Sequence, residues 1–144
     1  MKTVIQRVSH ASVTVDGQTI GAIGQGYLVL TGIAAGDTRQ TVERIARKML
    51  ALRIFADENG KTNLSLRDVG GSLLIVSQFT LCADTSHGNR PSFTTAAPPD
   101  LALSLYEYLI ELCRREIPVV EHGSFGAEMK VELVNDGPFT ILLE

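Results

Sequence analysis

The stretch that decides the fold runs from Ser72 to Cys82 and reads SLLIVSQFTLC. Its first half, Leu73 to Val76, is an unbroken apolar run ending in two β-branched residues. A half-exposed strand would alternate, so this pattern predicts a central strand buried on both faces. Gly70-Gly71 releases the chain into it. The polar end is unusual for such a strand, because two hydroxyls and an amide, Ser77, Gln78 and Thr80, follow directly on the apolar run. Strand ends are where active sites are placed.

Upstream, Ile5 to Val8 and Ser12 to Val15 are rich in β-branched residues, and Asp16-Gly17 suits a type I′ hairpin turn, whose two central positions need positive φ. Thr19 to Ile23 and Tyr27 to Thr31 continue as strands punctuated by Gly21, Gly24, Gly26 and Gly32. These glycines lack the following Lys-Ser/Thr of a phosphate loop and read as bends and bulges. Asp37 or Thr38 caps a helix whose apolar positions Val42, Ile45, Ala46, Met49 and Leu50 repeat with helical period. Arg53 to Ala56 and Thr62 to Leu66 form a second hairpin around Asp57-Glu58-Asn59-Gly60.

Downstream, Ala83 to Pro99 is a long polar loop of the kind that often carries function. Asp100 is the expected cap of a second helix reaching about Glu116, with Leu101, Leu105, Tyr108, Leu109 and Leu112 on one stripe and Pro118 forbidding continuation. Val119 to Glu121, Glu128 to Val134 and Phe139 to Leu143 close the domain as strands. In the second of these, Met129, Val131 and Leu133 alternate with Glu128, Lys130 and Glu132. The expectation is one α+β domain over residues 1–144, with mixed and antiparallel β-sheets and two main helices packed on one side.

A chain of 144 residues suits one domain and buries roughly 68 to 70% of its unfolded surface. The run Leu73 to Val76 falls far short of the about 20 apolar residues that span a bilayer, and MKTVIQRVSH holds no apolar signal core. A cytoplasmic protein with no membrane contact is expected. Cys82 and Cys113 form no Cys-x-x-Cys pair and read as free thiols, with neither disulfide nor zinc site. Net charge −3 disfavours wrapping a long nucleic acid but permits a small local contact. Arg39, Arg44, Arg47, Lys48 and Arg53 against Glu43 alone make the first helix region basic, while the chain after Asp100 is acidic. A solvated helix face is the plain explanation of the basic run, and a dock for a phosphate backbone the sharper one.

Two segments combine polar groups and backbone constraint beyond what packing requires: Ser77-Gln78-Phe79-Thr80-Leu81, and Asn135-Asp136-Gly137-Pro138-Phe139-Thr140 between the last two strands. In the latter, Gly frees φ and Pro permits a cis bond, although composition alone favours a plain β-turn. Ser77-Gln78-Phe79-Thr80-Leu81 and Asn135-x-Gly137-Pro138-x-Thr140 resemble the two signature motifs of the D-aminoacyl-tRNA deacylases, also called D-tyrosyl-tRNA deacylases. The resemblance extends end to end through Arg7-Val8-x-x-Ala11-x-Val13, Gly88-Asn89-Arg90-Pro91-Ser92-Phe93 and Gly123-x-Phe125-Gly126-Ala127-x-Met129. One position departs: the family usually has Val between the Pro and Thr of the second motif, where this chain has Phe139.

The resemblance implies a homodimer that needs no metal or cofactor and hydrolyses the ester between a D-amino acid and the terminal adenosine of tRNA. It implies catalysis at Ser77, Gln78, Phe79 and Thr80, with backbone N–H groups around Gln78 to Thr80 as candidate oxyanion donors, each worth roughly 3 to 4 kcal/mol. Attack is expected from water assisted by the adenosine 2′-hydroxyl, with Thr80 positioning rather than attacking. Gly137 and Pro138 resemble the family's Gly-cisPro element, which enters the partner subunit's site and excludes L side chains. Glycine has no side chain to exclude, so glycyl-tRNA is an expected second substrate. Arg7 looks like the residue that holds the element by donating to its carbonyls, with Asn135 and Thr140 bracing the turn. Phe125, Ala127 and Met129 resemble the lining of an adenosine pocket, although without the resemblance they would be ordinary strand core.

Two other functions compete. Cys82 with His87 as base suggests a thiol hydrolase, motivated by their closeness in the chain but lacking an orienting third residue. A non-catalytic module holding only the tRNA 3′ end would equally use the basic helix.

Overall fold

The computed structural model describes residues 1–144. The chain opens with β1 (Lys2–Val15), into which the expected strands at 5–8 and 12–15 fuse. Asp16 and Gly17 have φ of 49° and 79° and turn the chain into β2 (Gln18–Ile23), as the Asp-Gly pair predicts. Next come β3 (Gly26–Gly32) and α1 (Arg39–Ala51). Of the two candidate caps it is Thr38 that serves: its hydroxyl accepts from the Thr41 N–H, and Thr41 returns the bond in a capping box. Asp37 instead accepts from the chain's amino terminus and from the Ala34 N–H.

β4 (Arg53–Ala56) and β5 (Thr62–Ser65) form the second hairpin, and β6 (Ser72–Ser77) follows. The strand reading for 72–82 is right only to Ser77: residues Phe79–Cys82 are a short 3-10 helix. The strand stops there because its partner β3 ends at Gly32, with Ser77 opposite Thr31 in the last pair. Then come α2 (Pro99–Arg114), β7 (Val120–His122) and β8 (Lys130–Leu143). In α2 the cap is Pro98, with Pro99 at the first helical position and Asp100 inside the first turn, where its charge suits the helix dipole. Leu105, Tyr108 and Leu109 of the expected stripe are buried, whereas Leu101 and Leu112 are half-buried.

Strands order β2-β1-β3-β6-β7, with β8 pairing the remaining edge of β1. β6 runs parallel to both neighbours, and Leu73, Leu74, Ile75 and Val76 are at most 1% exposed. That is the doubly buried strand the apolar run requires. One face of the sheet, through Tyr27, Val29, Leu73 and Ile75, packs on α1 and α2. The other, through Leu28, Leu74 and Val76, is covered by Val8, Ala11, Val13 and Ile23 and by Met129, Val131 and Leu133. The sheet therefore rolls over itself, and a Cβ at Gly21 of β2 would lie 3.1 Å from the His122 carbonyl of β7 and 3.3 Å from Leu74 Cδ1.

The two closing strands expected at 128–134 and 139–143 are one strand, because both halves pair antiparallel with the same partner: Thr3 to Gln6 face Leu143 to Thr140, and His10 to Thr14 face Val134 to Lys130. Asn135 still pairs with Val8, so residues 136–139 are an excursion opposite Arg7 within one interrupted ladder rather than a turn between neighbours. The architecture is α+β with a mixed sheet and two helices on one side. No helix is long and apolar enough to cross a membrane.

Candidate active site

The end of β6 opens into a cavity of about 510 Å³. Val76, Ser77, Gln78 and Phe79 form one wall, Ala97, Pro99 and Ala102 at the start of α2 a second, and Phe125, Ala127, Met129 and Val131 a third. Two groups of residues that the sequence separates by nearly 50 positions, 77–79 and 125–129, therefore share one pocket. Ser77 and Gln78 are half-buried and Phe79 and Thr80 exposed, so the strand's polar end and the Phe79 ring lie at the rim, with buried Val76 and Ile33 behind them. Thr80 stands beside the cavity, where its hydroxyl accepts from Gln78 Nε2 at 2.5 Å.

The backbone narrows the choice of oxyanion donors. The Gln78 N–H is engaged with the Thr31 carbonyl at 2.8 Å, whereas Phe79 and Thr80 open the 3-10 helix, whose first N–H groups lack partners within the helix. Phe79 meets the Phe93 ring edge-on at 5.1 Å between centroids. Phe93 belongs to the long polar loop, which Asp84 and Ser92 strap shut through reciprocal backbone bonds of 2.7 and 3.0 Å. The loop signal was visible in the sequence; its contact with Phe79 was not.

The excursion at 136–139 holds a cis Gly137-Pro138 bond, as the family motif implies. Gly137 has φ of 141°, which favours glycine, and a Cβ there would meet Phe139 N at 3.0 Å and Arg7 Nη2 at 3.1 Å. Arg7 Nε donates to the Asp136 carbonyl at 2.9 Å, and its Nη1 donates to the Ile54 carbonyl at 2.6 Å. The bond to the turn therefore goes to the carbonyl just ahead of Gly137. Asn135 Nδ2 donates to Thr140 Oγ1 at 3.0 Å while its Oδ1 accepts from the Phe139 N–H at 2.9 Å, so Asn135 and Thr140 close the neck of the excursion. Asp136, Gly137 and Pro138 are exposed, and none of residues 135–140 lines the cavity of the same chain.

The thiol alternative loses its nucleophile. Cys82 is buried, and its Sγ points at the Ile33 carbonyl 3.6 Å away, inside the packing rather than toward a cleft. Burial pushes the Cys113 thiol up to about 12, with Glu116 adding to the effect, which leaves it protonated at neutral pH. On the basic helix, Arg39 lies over the Tyr108 ring at 3.7 Å and Arg44 donates to the Glu144 carbonyl at 3.0 Å. Arg47 and Lys48 are exposed and outside the ion pairs of the chain. A wider groove of about 880 Å³ between α2 and β7 shares only Phe125 with the expected set. Its cations are occupied, Arg115 by Glu111 at 2.8 Å and Arg114 by the Val120 carbonyl at 3.2 Å.

Comparison with known proteins bears on this geometry. The sequence model of a family described as "D-Tyr-tRNA(Tyr) deacylase" matches residues 4–144. A protein named D-aminoacyl-tRNA deacylase from Shewanella baltica (strain OS185) is 58% identical over 144 residues, covering 100% of this chain and 99% of its own. A namesake from Shewanella sp. (strain MR-4) is 57% identical with the same coverage. Among solved structures, one described as "c-Myc DNA Unwinding Element Binding Protein" superposes with a TM-score of 0.95 at 46% identity, covering 100% of this chain and 98% of that one. Another, "Structural Analysis of a probable eukaryotic D-amino acid tRNA deacylase", gives 0.87 at 17% identity over 99% and 97%, a likeness of fold.

Proposed function

Because the chain belongs to the D-aminoacyl-tRNA deacylase family, we propose that it hydrolyses the ester linking a D-amino acid to the terminal adenosine of tRNA, releasing the free amino acid and tRNA. The observation that carries this reading is the single cavity formed by Ser77, Gln78 and Phe79 on one side and Phe125, Ala127 and Met129 on the other. An adenosine packed against Phe125 and the Met129 thioether would lie within one pocket's width of the strand end, bringing the ester it carries to Ser77–Thr80. As water attacks the ester carbonyl, the developing oxyanion accepts from the Phe79 and Thr80 N–H groups. The 2′-hydroxyl of the adenosine assists the attacking water, and the 3′-oxygen leaves with a proton as the tetrahedral intermediate collapses. Thr80, its hydroxyl fixed by Gln78, positions the reacting groups. In this reading the chain's N–H groups and the substrate's own 2′-hydroxyl supply the chemistry, and no step calls on a metal or cofactor.

Chirality is read by exclusion, since D and L esters share every functional group. In this reading the carbonyls of Gly137 and Pro138 stand against one face of the α-carbon, where an L side chain collides and a D side chain points away. That residues 135–140 do not line their own chain's cavity fits a reading in which the turn is delivered in trans, in a homodimer with shared sites. Glycyl-tRNA, having nothing to exclude, is hydrolysed as well.

The test is release of amino acid from D-tyrosyl-, L-tyrosyl- and glycyl-tRNA measured side by side. Fast release from the D ester, detectable release from the glycyl ester and little from the L ester are expected. Binding without release from any of them would leave only a module for the tRNA 3′ end, and equal rates on D and L esters would end the exclusion mechanism.

A further inference from the structure

The residue that departs from the family's usual pattern, Phe139, makes a contact that valine cannot. Its ring lies under the Arg7 guanidinium, 4.6 Å from Cζ to the ring centroid. Arg7 uses its in-plane N–H groups in two directions, toward the Asp136 carbonyl in the excursion and toward the Ile54 carbonyl in β4. Ile54 is buried in the main core, so the second bond ties the guanidinium to a fixed point. In-plane bonds leave the flat faces of the group uncommitted, and such a face is what the electron-rich side of an aromatic ring attracts. Phe139 is half-buried, packs against the main core, and follows Pro138 directly in the chain. Its own N–H is held by Asn135 Oδ1. Ring, guanidinium and turn therefore form one closed unit: the core fixes Ile54, Ile54 orients Arg7, Arg7 holds Asp136, and the ring of Phe139 covers one face of the guanidinium.

We infer that Phe139 is a positioning residue for stereochemical selection, clamping Arg7 through its ring so that the Gly137-Pro138 turn is presented in one orientation. The inference rests on the reading of that turn as the element that excludes L esters. Phe139 touches no reacting atom and acts through Arg7, so it governs the ratio of D to L hydrolysis rather than the chemistry at Ser77–Thr80. Family members with valine hold their turn without a ring, so the effect is graded rather than total.

The experiment measures kcat/KM for D- and L-tyrosyl-tRNA, with the thermal midpoint as a control, in Phe139→Leu, Phe139→Val, Phe139→Tyr and Arg7→Ala. A cation–π contact between two half-buried groups corresponds to a drop of about 3- to 10-fold in the D/L ratio for Leu and Val. Tyr keeps the ring and should restore the ratio to within about twofold of the parent. A merely structural role would lower the thermal midpoint of the Leu and Val variants and leave the ratio alone. If Arg7→Ala lowers the ratio while Phe139→Leu and Phe139→Val leave it unchanged, the clamp is wrong and the turn reading stands. Should Arg7→Ala also leave it unchanged, both fall. Two ringless variants guard against one failing to fold.

Discussion

At the cavity beside Ser77, Val76 and Ile33 are closed to solvent, and the wall is continuous with both clusters of the core. At the excursion around Gly137, Asp136, Gly137 and Pro138 are all exposed, and the backbone is held by the side chains of Arg7 and Asn135. Apolar packing thus places the first, and directed hydrogen bonds place the second. Burial is non-directional and summed over many atoms, so a cavity wall changes position only when the fold itself is damaged. A hydrogen bond is directional and contributes about 1 kcal/mol net, so the turn can shift while the fold remains. Damage to the core should therefore appear in stability, and damage to the turn in selectivity.

The largest effect expected is at Gly26, where β3 meets the start of β6. A Cβ there would lie 1.8 Å from the Ser72 carbonyl oxygen, so the backbones of two paired strands must separate. Gly26→Ala should cost about 3 kcal/mol or more in urea unfolding, with the D/L ratio of the folded fraction unchanged. A shifted ratio would mean that the cavity and the turn are not independently held. Next is Thr80→Ala at the cavity rim, which should lower kcat/KM by about 10- to 100-fold while retaining measurable deacylation, since removing an obligate nucleophile costs far more. Trapping a Thr80 acyl-enzyme would contradict the positioning role.

Asn135→Ala sharpens the contrast from the other side. It removes both bonds at the neck of the excursion, a loss of about 1 kcal/mol each. The expected result is a lower D/L ratio with a stability loss of no more than about 2 kcal/mol, below that at Gly26, and an unchanged ratio with a larger stability loss would show that the excursion is held by packing after all.

The smallest effect is expected at Tyr27, whose hydroxyl is buried without a hydrogen-bond partner. Tyr27→Phe removes a group with no bond to lose, so stability at neutral pH should be unchanged or slightly higher. Its consequence lies in alkali. Burial pushes Tyr27 up to about 12, with the Arg7 charge opposing, and burial likewise pushes Tyr106 up to about 12. Below the ordinary tyrosine value of 10 both states hold the proton and stability does not change with pH on their account. Between 10 and about 12 the unfolded chain has released protons that the folded chain retains, so stability falls as pH rises through that window. Urea titrations from pH 9 to 12 should show a shallower fall in Tyr27→Phe than in the parent, and identical slopes would mean that Tyr27 titrates alike in both states.

The sequence by itself determined the elements whose cause is local. Four apolar residues in a row required a strand covered on both faces, Asp16-Gly17 a turn with positive φ, and the stripe from Val42 to Leu50 a helix against a sheet. The motifs at 77–81 and 135–140 were also legible, by resemblance. Only the tertiary structure decided where elements join or stop. The segments 128–134 and 139–143 look like two strands and are one, because a continuous partner, β1, lies beside both, and strand identity is a property of the pair. Ser77 ends β6 because β3 ends opposite it, which no residue between 72 and 82 announces. The cap of α2 moved from Asp100 to Pro98 for a smaller reason, since a proline at the first helical position has no N–H to satisfy. Arg7 finds its two carbonyls 47 and 129 residues away. Contacts at such separations follow from how the sheet rolls, and so the pattern of residues could name candidates while only the fold could bring them together.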